Sequence, residues 1–216
     1  MHITRARPDD AATLTEIAFA AKRHWGYPMS WIESWRDVLT VRPEFIAGHE
    51  TYAAIDEGRA IGFYALGRKG ERRAASSPPS SPREERVGRG PRRGETNKNA
   101  PPLPSPLLHP VEEREKSRSL MQPWGERMDL LHLWVLPEAM GRGVGRALFS
   151  HALERARILG FRELEIESDP NAEGFYQRMG AHRVGTNTND LAGHNRELPV
   201  LVYELDHVAS AKLGAA

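Results

Sequence analysis

The sequence contains no cysteine. This absence excludes disulfide bonds, thiolate metal ligands and a cysteine nucleophile. Its 30 lysine and arginine residues nearly balance 29 acidic residues, so no global field selects a polyanionic partner. No stretch approaches the ~20 apolar residues of a membrane helix, and the N-terminus lacks the charged start and apolar run of a signal peptide. These absences predict a cytoplasmic globular protein with no membrane partner.

Residues 71–125 differ in composition from the rest of the chain. They hold ten of the sixteen prolines, and arginine, serine and glycine fill most of the remainder. Such a stretch has too few apolar side chains to offset the about 1–2 kcal/mol of entropy lost per ordered residue. We therefore predict a disordered insertion within a single discontinuous domain, which is formed by residues 1–70 and 126–207 and followed by a flexible tail at 208–216.

The segments on either side of the insertion predict an α/β fold. Gly58 is placed to form a hairpin turn, and Gly160 is placed to end a helix. Strand-rich ends that enclose a strand–helix–strand–helix unit are typical of a sheet covered by helices. Strands are predicted at residues 2–7, 51–56, 59–67, 128–135, 163–167, 181–186 and 198–205. Helices are predicted at about 10–21, at 31–39, from the GRGVG stretch to 159, and at 172–179.

The stretch LPEAMGRGVGRAL places Gly141, Gly143 and Gly145 between an apolar strand and an amphipathic helix. The first turn of a helix has unpaired N–H groups and a partial positive charge. Glycines allow a large anion to approach that backbone closely, so the stretch favours a di- or polyphosphate group. Arg142 and Arg146 would add positive charge at the rim. The simpler alternative is a tight strand-to-helix connection, for which one glycine would suffice.

Two common nucleotide-binding loops are excluded by residue identity. A P-loop requires Lys and then Ser or Thr after its last glycine, whereas Gly145 is followed by Arg146 and Ala147. The dinucleotide fingerprint requires a third glycine three positions after the second, and Arg146 stands at that position relative to Gly143.

The stretch VLPEAMGRGVGRAL is similar to the acetyl-coenzyme A signature of the GNAT family of N-acetyltransferases, although Met140 stands where glutamine or arginine is usual. GFYQRMGA, about thirty residues later, resembles the second signature of the family. KRHWGYPMSWIESWRDVLTV further resembles a bacterial branch of uncertain substrate. The resemblance covers residues 1–70 and 126–207. It implies a mixed, mostly antiparallel central sheet flanked by helices, with the insertion between the third and fourth strands.

The resemblance also implies a site for acetyl-coenzyme A as co-substrate. The family binds the pantetheine arm through the backbone of the signature strand, where a bulge splays that strand from its neighbour. Asn171 resembles a family asparagine that contacts this arm, while the spacing to Tyr176 points to Asp169 instead; helix capping by either residue is the simpler interpretation. The implied coenzyme-binding residues are Leu133, Trp134, Val135, Gly141, Arg142, Gly143, Val144, Gly145, Arg146 and Asn171.

Tyr176 corresponds to the family tyrosine that protonates the departing thiolate. The alternative is a core tyrosine packed beside Phe175. For the general base, the resemblance points to Asp129, which simple alternation places on the same face as Leu131 and Leu133. Glu126, His132 and Glu165 are rival candidates, and a solvated strand-end role for Asp129 stays open.

These observations predict an N-acetyltransferase that transfers the acetyl group to an amine of a small molecule, a protein N-terminus or a lysine, by direct attack in a ternary complex. By the resemblance, the aromatic cluster from His24 to Tyr27 lies in the region where the family binds the acceptor; core packing of Trp25 and Trp31 is the alternative. The alternatives are a non-catalytic acyl-coenzyme A-binding regulatory module and nucleic-acid association through the insertion, whose glutamates and lack of aromatics weigh against that role. We expect no metal, and a monomer or a homodimer.

Overall fold

The computed structural model describes residues 1–68, 127–191 and 193–205. Residues 69–126 lie between the third and fourth strands, so the predicted insertion has the predicted place in the chain. The predicted disorder of the insertion and the predicted flexibility of the tail at 208–216 concern residues that lie outside the described ranges. None of the helices in these ranges is long and apolar enough to span a membrane.

Seven strands form one mixed sheet in the order β1-β2-β3-β4-β5-β7-β6. β4 and β5 are parallel, and every other neighbouring pair is antiparallel. The predicted sheet flanked by helices is therefore confirmed. The strands are β1 (His2–Arg5), β2 (Glu50–Asp56), β3 (Arg59–Arg68), β4 (Arg127–Val135), β5 (Glu163–Glu167), β6 (His182–Leu191) and β7 (His194–Glu204).

Six α-helices and three short 3-10 turns accompany the sheet in the described ranges. The predicted helix at 31–39 is in fact two short helices that meet at the buried Trp35. The sequence interpretation missed α4. The helices are α1 (Ala11–His24), α2 (Met29–Ser34), α3 (Arg36–Leu39), α4 (Pro43–Gly48), α5 (Val144–Ile158) and α6 (Glu173–Arg178), and the turns are Pro8–Asp10, Pro137–Ala139 and Pro170–Ala172.

The two faces of the sheet are covered by different helices. On one face, Leu148 of α5 packs so closely on Gly62 that a Cβ there would lie 3.1 Å from it and 2.8 Å from the Trp134 carbonyl oxygen. On the other face, α1 contacts β3 and β4, and Lys22 near its end lies 6.0 Å from the Trp134 ring. The sheet centre is therefore buried between two helical layers, in the arrangement expected for an α/β domain.

A β-bulge interrupts the pairing of β4 with β3. Ala65 pairs with His132 and the next residue, Leu66, pairs with Leu130, so Leu131 has no counterpart on β3. Directly paired residues share a face of the sheet, and a bulge reverses the alternation that follows it. Asp129 therefore shares the α1 face with His132, while Leu133 is on the α5 face. The prediction that Asp129 and Leu133 share a face is wrong.

Beyond the bulge, β4 also diverges from β5. Their parallel pairing runs from Arg127 with Glu163 to Leu130 with Ile166, and no pairing of the two strands is seen beyond these residues. The signature strand is thus both bulged and splayed from its neighbour, as the resemblance implied.

Candidate functional site

A cavity of about 510 Å³ opens where β4 and β5 diverge. One end is formed by the glycine stretch, and the other is formed by the end of α1 and the turn after β5. Of the residues predicted to form the site, those on the cavity wall are Leu133, Trp134, Val135, Gly141, Gly143, Gly145, Arg146, Asn171 and Tyr176. Arg142, Val144 and Asp129 do not line it.

Two of the three glycines have a conformational reason to be glycine. Gly141 has φ +74° and Gly143 has φ +84°, in the left-handed region that disfavours other residues. Gly143 immediately precedes α5 and, having no side chain, offers no capping oxygen to the first-turn N–H groups. Those N–H groups therefore point from the start of α5 without the side-chain cap that Ser or Asp would supply.

Gly145 differs because it lies within α5. A Cβ there would meet the Phe175 ring at 3.6 Å and Val135 at 3.8 Å, which are ordinary contacts. Neither backbone conformation nor packing therefore requires glycine at this position. Gly145 lies on the cavity wall, and its coenzyme role stays a prediction.

The charged residues of the stretch point in different directions. Arg142 donates to Asp56 at 3.1 Å, away from the cavity wall, and its side chain is exposed. Arg146 is exposed and lies on the wall. The Val144 side chain is buried in the core, so only the backbone of this residue could contact a ligand at the start of the helix. The coenzyme roles of Arg142 and Val144 stay predictions.

Tyr176 is held in place by aromatic rings. It is buried, and its ring makes edge contacts with Phe149 of α5, at 5.4 Å between centroids, and with Phe175, at 5.0 Å. Both the predicted acid role and the alternative of core packing agree with these contacts. Tyr176 lies on the wall of the same cavity as the glycine stretch, and its role as the acid stays a prediction.

Asp129 is buried on β4 between two strands. It pairs in register with Gly67 of β3 and Glu165 of β5. Glu165 in turn accepts from Arg127 Nη1 at 2.9 Å. Asp129 is therefore next to an ion-pair cluster and does not line the cavity, and its role as base stays a prediction.

The other end of the cavity is built around a buried lysine. The Lys22 side chain is 3% exposed and pairs with Asp169, which also accepts from the Tyr27 hydroxyl at 3.0 Å. Burial lowers the pKa of Lys22, against the opposing effect of Asp169. Burial raises the pKa of the Asp169 carboxyl, but the Lys22 charge and its hydrogen bonds outweigh this and keep that pKa below its usual value. Burial, and then the Asp169 charge, raises the pKa of Tyr27 to about 12.

Aromatic rings surround this ion pair. The Lys22 ammonium lies 4.3 Å from the centroid of the Tyr27 ring and 5.1 Å from that of Trp35, distances at which cation–π attraction operates. Trp31 packs in the same cluster, whereas Trp25 lies on the cavity wall. Of the aromatics at positions 24–31, Trp31 therefore follows the core-packing alternative, and an acceptor contact for Trp25 stays a prediction.

Asp169 also caps the turn that leads to α6. Its Oδ1 accepts from the Asn171 backbone N–H at 3.0 Å, so the predicted capping is confirmed. The same contact holds Asn171 at the cavity, where its pantetheine role stays a prediction.

Sequence reasoning missed two residues of this site. Lys22 carries no local signal, because its burial depends on Asp169, which is 147 residues away. Glu167 closes the ELEIE strand and lines the cavity, but it looks identical in sequence to the two glutamates before it. In the part of the chain that the structure describes, no group of three or more histidine and acidic residues could hold a metal ion.

Comparisons with known proteins agree with this geometry. The profile of the acetyltransferase (GNAT) family matches residues 111–181. The peptidyl-lysine N-acetyltransferases YjaB of Salmonella typhimurium and Escherichia coli are 32% and 34% identical to this chain over 99 residues, or 46% of the chain. These matches span 66% and 65% of the relatives, just under two thirds of their length.

Solved structures share the fold along nearly the whole chain. A GCN5-related N-acetyltransferase from Rhodopseudomonas palustris superposes with a TM-score of 0.61 at 18% identity, covering 94% of this chain and 95% of that one. The PaiA N-acetyltransferase from Thermoplasma acidophilum, solved in complex with coenzyme A, has a TM-score of 0.56 at 15% identity and covers 94% and 98%. With the bulged, splayed strand and the glycine-rich helix start, the family profile and the YjaB relatives support a GNAT family protein, and the solved structures show that the chain has the same fold.

Proposed function

We propose that this protein is an N-acetyltransferase that transfers the acetyl group of acetyl-coenzyme A to an amine. The observation that carries the proposal is one cavity with three parts: a helix start suited to phosphate, a strand edge splayed from its neighbour, and a buried tyrosine. Each part serves a different portion of the same coenzyme.

The pyrophosphate is assigned to the start of α5. The N–H groups after Gly143 and the positive end of the helix dipole favour an anion there. Gly145 leaves room for the phosphates, and Arg146 on the wall adds a positive charge. Arg142 is a weaker candidate, because its guanidinium is already paired with Asp56.

The pantetheine arm is assigned to the edge of β4. On the side of β3, Leu133 pairs with Tyr64 and Val135 pairs with Gly62. Toward β5, the pairing that the structure describes stops at Leu130, which leaves the edge from Leu133 to Val135 facing the cavity. An amide-bearing arm would pair with this edge as an additional strand does, so side-chain identity matters little here.

Tyr176 is assigned as the general acid. The acceptor nitrogen attacks the thioester carbonyl carbon, the new C–N bond forms, and the C–S bond breaks with its electron pair on sulfur. The hydroxyl of Tyr176 then supplies a proton to that thiolate. Since the chain has no cysteine, no thiol exists to carry the acetyl group, and direct attack in a ternary complex is the simplest course.

The acceptor is assigned to the end of the cavity near Trp25 and Trp134, because the coenzyme fills the opposite end. The YjaB relatives are peptidyl-lysine N-acetyltransferases. A lysine side chain in a peptide is therefore the first acceptor to test. We place the reaction in the cytoplasm, as the sequence predicts.

The proposal is tested in two stages with the full chain. In the first, acetyl-coenzyme A and coenzyme A should raise the melting temperature, and a shift with ATP or NAD alone would overturn the proposal. In the second, release of free thiol is measured with four amines: a lysine-containing peptide, a peptide with a free N-terminus, a polyamine and a free amino acid. Binding without thiol release for any of them would favour the non-catalytic acyl-coenzyme A module.

A further inference from the structure

Three glutamates on β5 share one face of the strand but have different surroundings. Glu163 accepts from Arg127 Nε at 2.6 Å, and Glu165 accepts from Nη1 of the same arginine at 2.9 Å. Glu167 instead accepts from the Asn187 amide at 2.7 Å through Oε2. Among the residues that the structure describes, Oε1 of Glu167 accepts no hydrogen bond, and Glu167 alone of the three lines the cavity.

Glu167 lies at the point where β4 and β5 begin to diverge, which we call the apex of the opening. It directly follows Ile166, the last residue of β5 that pairs with β4. The reactive sulfur is at the opposite end of the pantetheine arm from the phosphates. A coenzyme with its phosphates at α5 therefore directs its thioester along the edge of β4 toward this apex.

Glu167 and Tyr176 approach the cavity from opposite sides. Asp129 pairs with Glu165, so alternation places Glu167 on the α1 face, together with His132 and Trp134. Tyr176 packs on Phe149 of α5, on the other face. An acceptor arriving from the α1 side would meet Glu167, while the sulfur would leave toward Tyr176.

The other acidic or basic groups on the wall are engaged. Both oxygens of Asp169 are held, by Lys22, Tyr27 and the Asn171 N–H. His132 Nδ1 accepts from Trp134 Nε1 at 3.2 Å, because an indole N–H only donates.

Among the residues that the structure describes, the remaining charged groups on the wall are the cations Arg146 and Arg178, and Asp129 does not line the wall. Glu126 lies outside the described residues. Of the described residues, Glu167 is therefore the carboxylate that can receive a proton inside the cavity.

We infer that Glu167 is the residue that accepts the proton of the acceptor amine. This inference rests on the proposed function. Oε1 takes one proton from the incoming ammonium and passes it to solvent, leaving a neutral nitrogen with a lone pair. That nitrogen attacks the thioester carbon and loses a second proton as the C–S bond breaks, and the thiolate gains one proton through Tyr176. One ammonium and one thioester thus become one amide, one thiol and one released proton.

The test compares Glu167→Gln with Glu163→Gln in the full-length protein. Glutamine keeps the size of the side chain and an oxygen for Asn187, but it accepts no proton. Glu163→Gln makes the same change on the same face of the same strand, but Glu163 pairs with Arg127 and does not line the cavity. With the amine from the panel that the wild type acetylates fastest, kcat should fall about 10²–10⁴-fold in Glu167→Gln and stay near wild type in Glu163→Gln. The dissociation constant for coenzyme A should be unchanged in both variants.

Chemical rescue separates a lost base from a distorted site. Glu167→Ala leaves a small space on the wall, and added formate should restore part of the lost turnover by occupying it. The Glu163→Ala control should show no activation by formate.

Each outcome is decisive. Near-wild-type kcat in Glu167→Gln, or a loss in Glu167→Ala that formate does not relieve, overturns the assignment of Glu167 while leaving the transferase activity in place. A wild type that acetylates none of the four amines overturns the proposed function and the inference with it.

Discussion

The two ends of the cavity are built in different ways. The end near α5 is made by one continuous stretch, in which Gly141 and Gly143 turn the backbone and Gly145 clears the space. The end near α1 is made by side chains that are far apart in sequence, with Lys22 paired to Asp169 and Glu167 held by Asn187. A backbone site depends on local conformation and a side-chain site on tertiary assembly. The two ends should therefore respond differently to substitution.

The largest effect is expected at the backbone end. Gly145→Val would place a branched side chain at the cavity wall, and we expect no measurable binding of coenzyme A by calorimetry. The fold should persist, because the added Cβ makes only ordinary contacts with Phe175 and Val135. Gly143→Val is a poorer test, since φ +84° would strain any side chain.

Gly48→Val is the matched control for Gly145→Val. Gly48 ends α4, is exposed, and would have no neighbour within 4 Å of an added Cβ. The Gly48→Val variant should bind coenzyme A with the same affinity as the wild type. Unchanged affinity in Gly145→Val would mean that the glycine stretch only connects a strand to a helix.

The next effect is expected between the two ends, at Tyr176. Tyr176→Phe keeps the ring contacts with Phe149 and Phe175 and loses only the hydroxyl. Turnover should fall about 10²–10⁴-fold, with coenzyme affinity close to that of the wild type. Steady-state kinetics and calorimetry measure the two quantities separately.

Tyr64→Phe provides the control for that change. Tyr64 is a buried tyrosine whose hydroxyl bonds His151 Nδ1 at 2.7 Å, away from the cavity wall. Loss of the Tyr64 hydroxyl should lower the melting temperature and leave kcat unchanged. Equal losses of affinity and turnover in Tyr176→Phe would indicate that Tyr176 is a packing residue.

The smallest effect on chemistry, and the largest on stability, is expected at Lys22. Lys22→Met leaves Asp169 buried without its cation, and breaking a buried pair in this way costs about 3–5 kcal/mol of unfolding free energy. Urea denaturation at about pH 7 measures the loss. Replacing both charges, in Lys22→Met with Asp169→Asn, should recover most of it.

The loss at Lys22 should also depend on pH in a defined direction. In the wild type, the pKa of Asp169 is lowered, so its contribution is present above the unfolded value of about 3.9 and disappears as the pH falls through the folded value. In Lys22→Met, we expect burial, the largest single cause, to raise that pKa against the remaining hydrogen bonds from Asn171 and Tyr27, so the variant gains stability as the pH falls through the raised folded value. The two proteins should therefore differ less at about pH 5 than at about pH 7. The same difference in unfolding free energy at both pH values would show that the pKa of Asp169 does not depend on Lys22.

The contrast between the two ends also explains what the sequence could predict. The existence of α5, its end near Leu159 and the left-handed Gly160 after it follow from local signals, namely periodicity and a helix-ending glycine, and the structure agrees. The bulge at Leu131 depends on pairing with β3 and has no local signal, so simple alternation placed Asp129 on the wrong face.

The last strands show the same limit. The sequence predicts a strand that ends at Thr186, whereas β6 continues to Leu191. Its sequence there, NTNDL, has low strand propensity, and it is extended because it pairs with β7. Tertiary pairing overrides local preference at this hairpin, as it does at the bulge.

The most direct test of the account is the stoichiometry of transfer. With acetyl-coenzyme A and the fastest amine of the panel, free thiol and acetylated acceptor are quantified in the same reaction, the first by a thiol reagent and the second by mass spectrometry. Direct transfer predicts one acetylated amine for each thiol released, with both products reduced together in Tyr176→Phe. Thiol release without an acetylated acceptor, or neither product from a protein that binds the coenzyme, would contradict it.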